Sequence, residues 1–552
     1  MGRRSAVVLL AVFGAGVFLA GLELMITAVA LPAIVADLAD WTQLRKASWI
    51  VQGYLLVYVV TMPLAGRLSD LWGTRRLFLG ALALFVIGSA LAGRAQTLDE
   101  LIVARLVQAA GGGALVPIGT AAASHLFTGH ARPRALGVIG ALTFLGMAAG
   151  PALGALILES VHVEPALAAV GTTEGPMVDA LAPAWRWVFY VNIPIGLIAL
   201  AIGWAASYDW DTPRRQGPVD FVGAIVFSIA LATGLIGITL IGTGSNDIGV
   251  APSTLMAMLF LIALVASAVT ILWGLRRNDP YLDPRLFRNV VFSSASIVSL
   301  LTGYAFATAI IGGAVFVDRV LYGGPDVQRV ALGALAVATA VGALVSGFAV
   351  RILSLRVVTL VGLAASAVAL VLMSRWATGT PVSDVASVLG LFGLGFGLTV
   401  TPRSTAAVEA VGRHAFGAAS ATVTVARMIG MAIGLAVLTA YGSTAIERLY
   451  DQVYATDVAY KQFIPADLRD RSLRDGLVVE ALEAWAANEA TRIMVGIFVV
   501  AAGLMIVAVP AALALGPRPG MLRDVAEAEP EAAPGRPGDR EEPDDVQPTL
   551  AL

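Results

Sequence analysis

Cysteine is absent from this chain of 552 residues. That excludes disulfides, thiolate metal centres and cysteine nucleophiles. Histidine is scarce, and His125, His130, His162 and His414 are scattered through loops, which argues against a metal cluster. Charge is scarce too, at 13% of residues, and the net charge of −2 singles out no class of partner; no nucleic acid is expected. No nucleophile–base pair or phosphate loop can be assembled. The glycines Gly111–Gly113 sit mid-helix and follow no strand. The chain therefore reads as a protein without cofactor or metal, and not as an enzyme.

What is present is apolar length. Hydrophobic residues make up 58% of the chain, and the mean hydropathy is +0.82. A spanning helix needs about 20 apolar residues, and such runs recur from end to end. They do not alternate apolar with polar, as the strands of a transmembrane barrel would. The runs predict fourteen spans, over 5–31, 47–64, 77–92, 98–121, 135–158, 188–206, 221–241, 253–275, 292–315, 331–350, 357–373, 385–401, 416–441 and 491–515. The start, Met-Gly-Arg-Arg before an apolar run, is shaped like a secretion signal. Glu23 interrupts that run and no small-residue cleavage site follows, so it is read as an uncleaved first span.

Lysine and arginine set the orientation. With the N-terminus cytosolic, the inside segments hold Arg3, Arg4, Arg67, Arg75, Arg76, Arg132, Arg134, Arg351, Arg356, Arg403 and most of the other arginines. The short outside segments hold only Arg45, Lys46, Arg94, Arg186, Arg319, Arg329 and Arg375. Both termini are expected inside. Three segments read as extramembrane. One is 159–183, an acidic outside loop with Glu159, Glu164, Glu174 and Asp179. The second is 442–490, where Ile446, Leu449, Tyr450, Val453 and Tyr454 mark one helical face, Pro465 breaks it, and Leu477, Val478, Leu482 and Trp485 mark another. The thirteenth and fourteenth spans are thus expected to continue beyond the bilayer. The third is 516–552, rich in Pro, Glu and Asp, which reads as a disordered cytosolic tail.

Between the second and third spans lies a charged, glycine-punctuated loop, GRLSDLWGTRR, from Gly66 to Arg76. Gly66 permits close helix approach, Asp70 suits the positive end of a neighbouring helix, and Arg75 and Arg76 suit carboxylates. An ordinary positive-inside loop needs no such fixed spacing of Gly66, Asp70, Gly73 and Arg75. Gly347, Arg351, Ser354 and Arg356 recur at the same spacing, without the aspartate. The Gly66–Arg76 pattern resembles the helix 2–3 motif of the major facilitator superfamily of secondary transporters. The resemblance implies an all-α integral membrane fold of two related six-helix halves, here with two linker helices between them. The expected division is 1–206, 207–291 and 292–515. The motif would act as a cytosolic latch for alternating access.

Three charges lie deep in the predicted spans. Arg105, in LIVARLVQAAGGGA, sits about 10 Å below the start of its helix, and Glu23 about 12 Å from the end of the first. Their similar depth suggests a pair. Intramembrane ionisable groups are functional candidates by default. Burial and a nearby arginine pull a carboxyl's proton affinity in opposite directions, so a cavity that opens and closes can switch Glu23; a static structural pair is the plainer reading. Arg105 and Gln108 match the family's helix 4 motif. Gly146, Gly150, Pro151 and Gly154, in GMAAGPALGA, resemble its exporter signature on helix 5, and would otherwise be generic small-residue packing. Arg427, in TVARMIGMAIGLAV, is the other deep charge; Glu409 and Glu159 are its candidate partners.

WRWVFYVNIPIG (185–196), DPYLDPRLFRNVVF (279–292) and LELMITAVALP (22–32) look like the fourteen-helix drug:proton antiporter branch. The first span departs from it, with Glu23, Met25 and Ala28 where the family has Asp, Thr and Asn. The stretch WIVQGYLLVYVVTMPLAGRLSD and the extended last spans resemble the lipid-exporting subgroup of mycobacterial triacylglyceride exporters. Few polar groups lie in the helices, and Trp49, Tyr54, Tyr58, Phe144 and Tyr304 are available to a cavity. The reading is a proton-coupled exporter of hydrophobic or amphiphilic compounds, drugs or lipids, working as a monomer in a bacterial inner membrane. A lipid exporter using the extended outer helices is the first alternative, and a non-transporting scaffold or sensor the second.

Overall fold

The computed structural model describes residues 3–38, 44–47, 49–129, 131–163, 175–208, 220–240, 252–277, 280–412, 415–454, 459–470 and 475–516, with positions 165, 169, 210, 212 and 214 between them. Among the described residues the chain is all-α, with fourteen helical stretches long and apolar enough to cross a membrane, the sixth being the whole run Ala184–Ala206. The helices that carry them are, in order, α1 (Arg3–Leu38), α2 (Trp49–Trp72), α3 (Thr74–Arg94), α4 (Leu98–Leu126), α5 (Ala131–Ser160), α6 (Asn192–Ala206), α7 (Phe221–Thr239), α8 (Pro252–Arg276), α9 (Val290–Arg319), α10 (Pro325–Ala349), α11 (Leu355–Met373), α12 (Val382–Glu409), α13 (Phe416–Tyr454) and α14 (Gly476–Val507). Short helical turns at Ala184–Arg186 and Trp187–Tyr190 lead into α6. The end of the bundle where α1 begins is called the N-face below, and the other end the far face. The tail expected to be disordered, beyond Gly516, lies outside the described residues, as do Glu164 and Glu174.

Apolar runs make these segments helical, and polar residues start them. Thr97 accepts the backbone N–H of Glu100 at the head of α4. Asn289 caps α9, Ser354 caps α11 and Asp475 caps α14 in the same way. Each cap satisfies an N–H that the helix itself leaves orphaned. Buried apolar residues fall into two large clusters. One is built mainly from α1–α6, the other mainly from α9–α14. They are stitched together where Phe144 and Met147 of α5 join the second cluster and Val425 of α13 joins the first. Helix α7 packs on α2 and α13, whereas only 11% of the α8 window is buried.

The structure corrects several expectations. The stretch from Gly66 to Arg76 is almost no loop: α2 runs on to Trp72, α3 starts at Thr74, and Gly73 alone makes the turn. Its φ of +94° is a conformation that only glycine adopts without strain. Arg403, counted among the loop cations, lies inside α12 and is 2% exposed, because that helix continues to Glu409 rather than ending near 401. Arg67 is likewise buried in the last turns of α2, and Arg186 is buried with its guanidinium on the carbonyls of Gly93 and Ala95 at 2.9 and 2.5 Å. Helix α13 has 39 residues, about 58 Å of helix, against about 30 Å of bilayer hydrocarbon. After it, Tyr460, Ile464 and Val478 form a small separate core with Phe463 and Trp485. The side chains of Ile446, Leu449, Tyr450, Val453 and Tyr454 lie outside the described part.

Candidate functional site

Glu23 and Arg105 meet. The guanidinium of Arg105, 1% exposed, forms an ion pair with Glu23, which is fully buried. The same guanidinium reaches the Ile50 carbonyl at 3.3 Å and Gln108 Oε1 at 2.6 Å, and it lies 3.9 Å from the centre of the Tyr54 ring. Gln108 in turn donates to Ser89 Oγ at 2.8 Å. Glu23 accepts two further bonds, from Thr27 Oγ1 at 2.8 Å and from Asn192 Nδ2 at 2.6 Å. Helices α1, α4 and α6 therefore converge on one carboxylate, and α2 braces its arginine partner. Among the described residues Glu23 is the one buried acid inside a span, since the other buried acids, Asp70 and Asp220, sit at helix ends. Such a network keeps two charges out of water only because nearly every lone pair and N–H has a partner.

The exporter-like glycines lie beside this network. A side chain at Gly146 would stand 2.2 Å from the Phe18 carbonyl, and one at Gly150 2.8 Å from Met25 Cβ. Gly154 faces Ile26 in the same seam, and Gly21 answers from α1 against the Thr143 carbonyl. Pro151 lies inside α5, half-buried. So α5 packs along the helix that carries Glu23, at backbone-to-backbone distance.

At the N-face, Asp70 of α2 caps a helix that is remote in sequence. Its carboxylate accepts the backbone N–H groups of Gly417 and Ala418 at 2.8 and 2.9 Å. These are orphan donors at the positive start of α13, so capping and dipole attraction act together. The backbones touch as well: a Cβ at Gly66 would lie 2.5 Å from the Gly417 carbonyl, and one at Gly417 2.2 Å from that of Gly66. Ser69 Oγ donates to the Gly66 carbonyl at 2.7 Å. The basic end of the motif has different partners from those expected. Arg75 donates to Ser207 Oγ at 2.9 Å and to the Tyr208 carbonyl at 3.3 Å, tying α3 to the end of α6 rather than to a carboxylate. Arg76 is exposed. The second copy of the pattern makes a matching contact, because a Cβ at Gly347 would lie 2.9 Å from the Pro133 carbonyl and 3.3 Å from Gly137 Cα. Arg351, standing where the first copy has Asp70, is exposed.

Arg427 pairs with neither candidate. Its guanidinium lies 5.5 Å from the centre of the Phe144 ring, and no ion pair links it to Glu409 or Glu159. It shares a cavity of about 40 Å³ with Arg403, lined by α4 and α5 on one side and α9, α12 and α13 on the other. Arg403 donates to Thr302 Oγ1 at 2.5 Å and faces the Phe396 ring at 5.2 Å. Sequence reasoning missed Asn192 and Arg403. Asn192 was quoted within WRWVFYVNIPIG, yet one amide at the head of a span carries no periodic signal. Arg403 had one: it is the only cation in a long stretch of small and apolar residues after 382.

The Major Facilitator Superfamily profile matches residues 13–435. The triacylglyceride transporter of Mycolicibacterium hassiacum is 31% identical over 487 residues, 86% of each chain. That of Mycolicibacterium smegmatis is 32% identical over 443 residues, covering 77% of this chain and 74% of its own. Multidrug resistance protein 3 of Bacillus subtilis is 28% identical over 424 residues, 76% of this chain and 77% of its own. Among solved structures, the human organic anion transporter MFSD10 superposes with a TM-score of 0.58 at 14% identity, covering 93% of this chain and all of its own. A bacterial homologue of the lysosomal transporter Spinster gives 0.56 at 15%, covering 94% of this chain and all of its own. Those two likenesses speak for the fold alone. With fourteen apolar spans in that fold and relatives of this coverage, the chain belongs to the Major Facilitator Superfamily, as a multi-pass membrane protein related to the mycobacterial triacylglyceride transporters.

Proposed function

We propose that the protein is a proton-coupled exporter of lipid or lipid-like cargo working by alternating access. The observation that carries this reading is Glu23, the one acid buried inside a span among the described residues, held by Arg105, Asn192 and Thr27. A carboxylate in that position is costly to bury, and for that reason it marks function. When water reaches it, a proton can take the place of Arg105 as its partner, and the α1–α5 seam then carries the change along the bundle. The triacylglyceride transporters among the relatives favour lipid over drug cargo. The length of α13 adds support, because helix projecting past the bilayer offers a hydrophobic chain a path out of it.

In this reading the N-face is cytosolic and both termini lie inside. Residues 1–206 and 292–515 are the two halves that rock, 207–291 is a linker with two extra spans, and 442–490 projects outside. The Asp70 cap and the crossings of Gly66 with Gly417 and Gly347 with Gly137 hold the cytosolic side shut and part when it opens. The protein acts as a monomer in the inner membrane of a bacterium. A drug-exporting reading has one observation of its own, the 28% identity to Multidrug resistance protein 3.

The test is proton-driven efflux from proteoliposomes, with labelled triacylglyceride, labelled phosphatidic acid and a lipophilic cationic dye offered side by side. Wild type is expected to move at least one of the two lipids under an imposed pH gradient, and Glu23→Gln to lose the gradient's effect. Dye moving instead of lipid would turn the assignment to drugs. A Glu23→Gln protein as fast as wild type would end the coupling role of that residue.

A further inference from the structure

Two of the buried arginines of this protein come with counter-charges. Arg105 has Glu23, Gln108 and a backbone carbonyl; Arg186 has two carbonyls and Asp37 at 3.9 Å. Arg403 and Arg427 stand apart. They are 2% and 8% exposed and line the same cavity, yet neither has a carboxylate within ion-pair distance among the described residues. Arg403 has one hydroxyl partner, and Arg427 Nε has none. The cavity's own hydroxyls do not supply the missing charge. Thr120, Thr143 and Thr424 donate to carbonyls of their own helices, and Ser299 to that of Val423. Two like charges facing one cavity away from bulk water repel each other strongly. An arrangement of that kind becomes favourable when an anion enters between them.

We infer that Arg403 and Arg427 form the binding site for the anionic headgroup of the cargo, an oxyanion carried on acyl chains. This inference rests on the exporter reading for the word cargo, and on the cavity alone for the site. The space fits the chemistry. About 40 Å³ holds roughly three waters, room for the oxygens of a carboxylate or phosphate. Guanidinium is the cation best suited to those oxygens, because its planar fork binds two of them at once. The walls come from both apolar clusters, through Val116, Leu136 and Ile139 of the first and Phe144, Val400 and Val423 of the second. Arg427 lies about 16 Å and Arg403 about 9 Å from the N-face ends of their helices. A headgroup there would sit just behind the Asp70 contact, where closure of the N-face traps it.

The test is equilibrium binding to the full chain in phosphatidylcholine nanodiscs, without any gradient. The probes are two matched pairs: dioleoylphosphatidic acid against dioleoylglycerol, and oleate against oleyl alcohol. The anionic member of at least one pair is expected to bind about ten- to a hundredfold more tightly, and Arg403→Gln and Arg427→Gln each to remove most of that margin. The two pairs tell phosphate from carboxylate. Arg403→Lys and Arg427→Lys keep the charge and are expected to retain part of the preference, which guards against a variant that merely misfolds. Equal binding of anionic and neutral lipids, or a preference untouched in both glutamine variants, overturns the inference. So does full competition by inorganic phosphate at the concentration of the lipid, which marks a small-anion site. If anionic lipids bind as expected but the efflux assay shows no movement, the headgroup site stands and the exporter reading falls. Gradient-driven export of triacylglyceride, indifferent to the arginines, gives the reverse.

Discussion

Arg105 and Asn192 show how a single residue changes the meaning of another. A lone Glu23–Arg105 pair would leave one carboxylate oxygen bare in a low-dielectric interior. Asn192 fills that vacancy from α6, at 2.6 Å. Its loss is therefore expected to cost more than an average hydrogen bond, about 1.5–3 kcal/mol, since the acceptor is charged and buried. Asn192→Leu should lower the thermal midpoint in detergent and shift the pH dependence of transport, whereas a purely structural amide would move only the first. The pairing of Glu23 with Arg105 was legible from depth together with the helix neighbours that the family resemblance implies, because two charges at one level of neighbouring helices have few other partners. Asn192 was not, since an amide at the head of a span is an ordinary capping residue in sequence. The Arg427 pairing failed for another reason: sequence reasoning assumes that every deep charge has an opposite partner in the chain, and this cavity holds two cations.

Among whole elements, the most informative junction lies where α7 begins. Asp220, 8% exposed, caps α7 by accepting the Gly223 N–H at 3.0 Å, and also accepts the Trp273 indole N–H of α8 and the Tyr281 backbone N–H. One carboxylate ties both extra helices to the segment leading into α9. Burial alone would raise its proton affinity. The hydrogen bonds from Gly223, Tyr281 and Trp273, with the charge of Arg277, outweigh burial and hold the carboxyl below its usual range. A folded-state value lower than the unfolded one adds stability that is complete above about pH 4 and is lost as pH falls through the folded value. Protection factors at 221–224, with the intrinsic pH dependence of amide exchange divided out, are thus expected to fall on acidification in wild type, and to be low and independent of pH in Asp220→Ala. The existence of these helices was plain from their apolar runs. Their boundaries were not, because Gly66–Trp72 and 402–409 are polar segments that tertiary contacts keep helical. Hydropathy measures the membrane, and those turns are held by other helices.

Across the whole molecule, the repeated pattern at Gly66 and Gly347 acquires a geometry. Each glycine lies where a helix of one apolar cluster crosses a helix of the other, Gly66 against Gly417 and Gly347 against Gly137. The repeat spacing was readable; the partners were not, since nothing in that spacing says which distant glycine each one meets. Only the first crossing has a carboxylate capping the opposite helix, because Arg351 stands in the second where the first has Asp70. The two crossings should therefore differ in strength, and the Asp70 side should be the one whose release permits opening. The missing cysteines make this testable, as any introduced pair is unique in the chain. Ser69 and Ala418 flank the capped contact, so Ser69→Cys with Ala418→Cys should cross-link under mild oxidation. If the two clusters move as bodies about this contact, the oxidised protein stops transporting and regains its rate on reduction. Transport that continues through the cross-link would mean that α2 and α13 never part, and the cycle would have to turn on the Gly347 crossing instead.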